Sequence, residues 1–197
     1  MSQILQSLQK TLIAGLVLLI VVLVIATSLT GNPIQFGHAW STFVVRWLHV
    51  ISGVMWIGLL WYFNFVQIPS MPSIPDEQKP AISKVIAPTA LFWFRYAALS
   101  TVITGLLVAW MQGYIVNALT LQPGLVAIGI GMWMALLMAF NVWFIIWPNQ
   151  KKALGIVAVE AAEKAKAARM AMLTSRFNTM LSISMLYMMV AQQNAAL

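Results

Sequence analysis

Cysteine is absent from the 197 residues, acids number only four and histidines two. Without thiols, the chain cannot form disulfides, thiolate metal sites, iron–sulfur clusters or a haem attached through Cys-x-x-Cys-His. The four acids, Asp76, Glu77, Glu160 and Glu163, all fall between long apolar runs. A carboxylate proton relay or a di-iron site of the Glu-x-x-His kind therefore lacks its ligands. No His-x-x-x-His pair, glycine-rich phosphate loop or nucleophile elbow is present, which speaks against a P-loop NTPase. No Ser/Gly/Pro-rich linker divides the sequence, so residues 1–197 are read as one domain.

What remains is mostly hydrocarbon. Hydrophobic residues make up 61% of the chain and charged residues 8%, against about half and a quarter in soluble domains. The net charge of +7 comes from cations in short segments between apolar runs. There they govern orientation in a bilayer rather than nucleic-acid binding.

A bilayer core of about 30 Å needs about 20 apolar helical residues, and five stretches qualify: Thr11 to Leu29, Ser41 to Gln67, Pro88 to Gln112, Leu121 to Trp147, and Ser175 to Ala191. The fold class expected is therefore all-α, an integral membrane bundle of five transmembrane helices. The first run follows Lys10 but is long for a signal-peptide core and lacks a clear Ala-x-Ala site, so it is read as a retained span. Lys10 precedes span one, Lys79 and Lys84 lie between two and three, and Lys151, Lys152, Lys164, Lys166 and Arg169 lie between four and five. The other connections hold none, which predicts a cytoplasmic N-terminus and an outer C-terminus in a bacterial inner membrane. The Pro69 to Pro80 segment reads as a stiff loop. The alanine-rich segment 151–174, with Glu160 four residues before Lys164, reads as a cytoplasmic surface segment.

Span two carries the most suggestive chemistry, Arg46-Trp47-Leu48-His49-Val50-Ile51-Ser52-Gly53. Arg46 and His49 share a helix face about 4.5 Å apart along the axis, with Gly53 one turn beyond. An imidazole can ligate iron, a cation nearer the surface can meet a propionate, and glycine admits a flat macrocycle. Non-covalent haem b with His49 as metal ligand is the expectation. The alternative leaves Arg46 reaching the headgroups and His49 bonded to a neighbouring helix. A second ligand could be a methionine such as Met132 or Met134, or a histidine of another subunit, or the iron could be five-coordinate. His38, the other histidine, stands eleven residues before His49, roughly 16 Å along a continuous helix. It is a candidate cofactor contact that cannot share one iron with His49 without a break.

A second polar set lies at the opposite ends of the spans: Asn64 and Gln67, Arg95, Asn141, Asn149 and Gln150, Arg176 and Asn178. In hydrocarbon such groups pair with one another, with backbone or with a ligand. They read either as a packing clamp or as a place for a small anion or quinone. The nine tryptophans mostly fall near span ends, as interfacial belts do.

Residues Arg46 to Gly58, continuing through Tyr62-Phe63-Asn64-Phe65-Val66-Gln67, resemble the membrane domain of the bacterial cytochrome c-linked urate oxidases. Phe140 to Lys151 and Ser175-Arg176-Phe177-Asn178-Thr179 are similar to later blocks of that family. The resemblance covers about Trp40 to Met189. It implies a redox-associated membrane fold with His49 at the haem-bearing position. Full-length members are larger and end in a haem-c domain, whereas this sequence is a short version without one, so no catalytic residue is transferred.

Together these features predict a membrane subunit associated with electron transfer. It would bind haem b in the outer half of the bilayer and work beside a larger redox complex or as a homo-oligomer, without independent catalysis. The rivals are a cofactor-free structural or assembly subunit and a stand-alone membrane oxidoreductase using Arg95.

Overall fold

A computed structural model describes residues 2–194, all helix and turn, with no strand among the described residues. Its elements are α1 (Leu8–Thr30), α2 (His38–Ser73), α3 (Lys79–Met111), the short α4 (Ile115–Leu119), α5 (Val126–Ala153) and α6 (Ala161–Ala191). Four of them, α1, α2, α3 and α5, are long and apolar enough to cross a membrane. By that measure the chain is a membrane protein.

The chain divides into two units at Ser41/Thr42. In the first, α1 begins where the Ser7 side chain accepts from the Lys10 amide and stops at Gly31, whose φ of +69° is open to glycine because it has no Cβ. None of its residues is buried, and its apolar character runs all round the helix.

The second unit contains an unexpected use of proline. Three π-helical segments, Tyr62–Gln67, Ile82–Ile86 and Asn141–Ile146, each end two residues before a proline: Pro69, Pro88 and Pro148. In a regular helix a proline ring strikes the carbonyl four residues back. Here those carbonyls belong to Phe65, Lys84 and Phe144, each inside a π segment, where the widened turn moves the oxygen out of the ring's way.

The helices therefore pass through their prolines. Span two was expected to end at Gln67 before a proline-stiffened loop, but α2 continues to Ser73. Only residues 74–78 separate it from α3, whose Pro80 occupies a first-turn position that needs no N–H. Beside this turn Lys79 pairs with exposed Asp76 and holds its carboxyl below the ordinary range.

The last two helices also differ from expectation. Instead of a surface segment over 151–174, α5 runs on to Ala153, residues 154–160 turn, and α6 extends unbroken for 31 residues. The alanine-rich stretch is a strong helix former. Its Ala167 and Ala171 are buried, and Lys152 pairs with Glu163 across the turn, so it continues the helix of the fifth expected span.

The main core joins Trp56, Leu60, Phe63, Leu91, Phe94, Met138, Val142, Ile146 and Met185. A smaller cluster of Ala109, Ala118, Ile128 and Met132 packs α4 between α3 and α5. Gly129 allows this, because a Cβ there would lie 2.1 Å from the Ala118 carbonyl oxygen.

Candidate functional site

The Thr42–Leu197 unit holds an open-sided cavity of about 610 Å³ walled by α2, α3, α5 and α6, within the range of small-molecule and cofactor sites. Arg46, His49 and Gly53, the three span-two residues singled out by their spacing, all line it. The rest of the wall is overwhelmingly apolar.

His49 is held by α3. Its Nδ1 lies 2.9 Å from the Thr101 carbonyl oxygen and 3.3 Å from Thr104 Oγ1. A carbonyl can only accept, so Nδ1 carries the proton and Nε2 keeps its lone pair. Among the described residues Nε2 has no hydrogen-bond partner. This is the arrangement by which a backbone carbonyl sets the tautomer and orientation of a ligating imidazole. Gly105 makes it possible, since a Cβ there would stand 2.7 Å from the imidazole Cε1. One turn on, Ser52 Oγ and Ser100 Oγ share a 2.8 Å hydrogen bond that fixes the same helix pair.

At the rim three polar side chains meet the apolar wall: Arg46 from α2, Tyr114 from the α3–α4 connection and Gln193 beyond α6. Burial raises the Tyr114 phenol pKa, while Arg46 pulls it the other way. Among the described residues Arg46 forms no ion pair. The four acids sit in the 74–78 and 154–163 segments, outside this wall.

Tyr114, Gln193, Thr101 and Gly105 were not singled out from the sequence, since nothing local marks a threonine carbonyl or a glycine facing another helix. Of the two methionines named, Met132 lines the cavity, together with Met185 and Met189. Met134 packs instead against the main core. His38 is the first residue of α2 and lies in the first unit.

The second polar set resolves into a network and its surroundings. Three Phe-Asn dipeptides, 63–64, 140–141 and 177–178, put one buried asparagine on each of α2, α5 and α6. Asn64 Nδ2 donates to Leu60 O at 2.9 Å and to Ser175 Oγ at 2.8 Å. Asn141 Nδ2 donates to Asn178 Oδ1 at 2.8 Å, and Asn178 Nδ2 to Met138 O at 2.9 Å. Asparagines thus fasten the helices to one another.

Arg95 is buried and stacks its guanidinium 3.4 Å from the centre of the Trp147 ring, a cation–π pairing that replaces the missing acid. Its Nη1 and the side-chain oxygens of Asn64, Gln67 and Gln150 have no hydrogen-bond partner among the described residues. Gln67, Gln150 and Ser175 line a cavity of about 200 Å³ at this end, to which Arg95 does not contribute. Asn149 bonds only to Ile145 O on its own helix, and Arg176 is exposed. Neither joins the network expected for it.

Chemically, the larger cavity offers an apolar space lined by one imidazole and one guanidinium. The smaller end fixes helices. No curated protein and no solved structure matches the chain. The family model described as urate oxidase N-terminal matches residues 122–197, which take in α5 and α6 but not Arg46 or His49. From residue 122 onward, therefore, the chain is similar to the urate oxidase N-terminal family.

Proposed function

We propose that this protein is a five-span subunit of a bacterial inner membrane that binds haem b non-covalently through His49 and serves electron transfer within a larger redox assembly. One observation carries the reading: an imidazole whose Nδ1 is committed to the Thr101 carbonyl presents its remaining nitrogen in an apolar cavity of about 610 Å³. Arg46 at the rim suits a propionate, which would provide the negative partner the described residues do not. Bound haem would supply a one-electron redox centre. The residues themselves bind, orient and exclude water.

The fifth span in this reading is the second half of α6. Its first half carries Glu163, Lys164, Lys166, Arg169 and Arg176, while residues from Phe177 onward are free of charge. The cations that flank the helices favour a cytoplasmic side for the 74–78 and 154–160 turns. The chain has no cysteine, so single cysteines introduced at Ser73 and Gln122 test this directly. An impermeant thiol reagent added to intact cells should reach Gln122→Cys and not Ser73→Cys.

The haem itself is tested by purification, an absorption spectrum and a pyridine haemochrome assay. A Soret band that His49→Ala abolishes, with the helix content unchanged, is the expected result. Preparations with no extractable haem, even when haem is supplied during expression, would sink the proposal. A second reading, a cofactor-free assembly subunit, draws support from the Asn64, Asn141 and Asn178 network. It predicts a colourless protein that co-purifies with a large complex.

A further inference from the structure

Given haem at His49, the same cavity raises the question of what approaches the metal from the other side. The described wall holds no second histidine, no lysine and no carboxylate. Its soft donors are three thioethers, Met132 on α5 and Met185 and Met189 on α6. From these we infer that Met189 is the second axial ligand, so that the site is of the imidazole–thioether type. The inference rests on the haem reading of the cavity.

Depth singles out Met189. α2 and α6 run antiparallel and are tied by Trp61 Nε1 donating to Ser182 Oγ at 2.9 Å and by the Asn64–Ser175 hydrogen bond. From that tie His49 lies twelve residues toward the Arg46 rim, about 18 Å along its helix. Met185 lies only three residues beyond Ser182, about 4.5 Å, whereas Met189 lies about 10 Å along. Met189 is thus the deeper methionine's neighbour one turn nearer the imidazole's level. Met185 is also nearly enclosed, within the main core that includes Trp56 and Leu60.

Met132 is packed into the small cluster with Ala109, Ala118 and Ile128. Met189 is only partly buried, packs against both clusters and lines the cavity. Gly131 creates its seat. A Cβ at that position would come within 3.4 Å of Met189 Cγ and of the Met189 backbone nitrogen, so glycine lets α6 lie close against α5 at the residue in question.

The chemistry follows from ligand type. A thioether is a soft, neutral donor that stabilises ferrous over ferric iron, and His/Met ligation raises the reduction potential. The site would then favour the reduced form of the bound haem.

The test uses the purified haem-loaded protein. Electron paramagnetic resonance, near-infrared absorption and a potentiometric titration are recorded for the wild type and for Met189→Leu, Met132→Leu and Met185→Leu. Haem content and helicity serve as controls. The wild type should be low-spin. Met189→Leu should become high-spin with a lower midpoint potential at unchanged haem content, and Met189→His should restore a low-spin spectrum at a potential below the wild type. The other two leucine variants should match the wild type. A high-spin wild type, or a Met189→Leu spectrum identical to wild type, overturns the thioether assignment while leaving haem at His49 intact. A wild type without haem overturns the underlying reading instead.

Discussion

The two ends of the Thr42–Leu197 unit solve the burial of polar groups in opposite ways. At one end the Asn64 amide donates to Ser175 Oγ, joining α2 to α6, and Asn141 and Asn178 bond to each other, joining α5 to α6. At the other, α2 is held to α3 by His49 and Ser52, yet a cavity of about 610 Å³ stays open against α5 and α6. The difference is one of reach. Amides join helices when both partners sit level, whereas at the cavity end Gly105 lets α3 approach the His49 ring while the apolar, methionine-bearing wall of α5 and α6 offers few polar groups to pair. One end is fastened by amides around a small cavity of about 200 Å³, and the other keeps the larger one.

Four substitutions sharpen that contrast, beginning with the largest effect. Asn178→Ala removes a fully buried residue that both donates to Met138 O and accepts from Asn141. Two orphaned groups should cost about 2–3 kcal/mol, read as a lower unfolding temperature in detergent. The Soret position of the folded fraction should stay where it was. A shifted band would mean the two ends are coupled.

Gly105→Ala should do the reverse. The new methyl meets the imidazole rather than backbone, and a side-chain tip can swing away, so stability should change little. The imidazole loses its aim, and haem binding should weaken about 10–100-fold, measured by haem transfer to a competing apoprotein. Unchanged retention would argue against His49 as the ligand.

Trp61→Phe deletes the Nε1 hydrogen bond to Ser182 that lies between the ends. About 1 kcal/mol of stability should go, with a small loss of haem retention as α2 loosens from α6. Lys152→Ala, at the exposed pair with Glu163, is expected to cost about 0–1 kcal/mol and to leave both ends untouched. A large effect there would make the α5–α6 turn more than a connector.

Much of this arrangement is readable from residue order. The apolar runs locate the helices, and the three-residue spacing of Arg46 and His49 puts both on one cavity wall. Buried asparagines in the right helices follow from placing amides in hydrocarbon. Helix ends were less readable. Pro69, Pro88 and Pro148 would ordinarily stop a helix, and only the π turns before them let the chain continue. Arg176 and Asn149 carry the same polar chemistry as their neighbours in sequence but point elsewhere, because one residue along a helix rotates a side chain by about 100°.

Sequence alone therefore determined that this is an all-helical membrane chain, with one histidine and one arginine set to share a face, since both facts depend only on local periodicity and hydrophobicity. The tertiary structure decided which helices come together. It put the Thr101 carbonyl on Nδ1, cleared room for the imidazole at Gly105, and brought Tyr114, Gln193 and the thioethers of two distant helices to the same space. Those contacts span fifty or more residues, and no local pattern encodes the partner on the far side of a cavity.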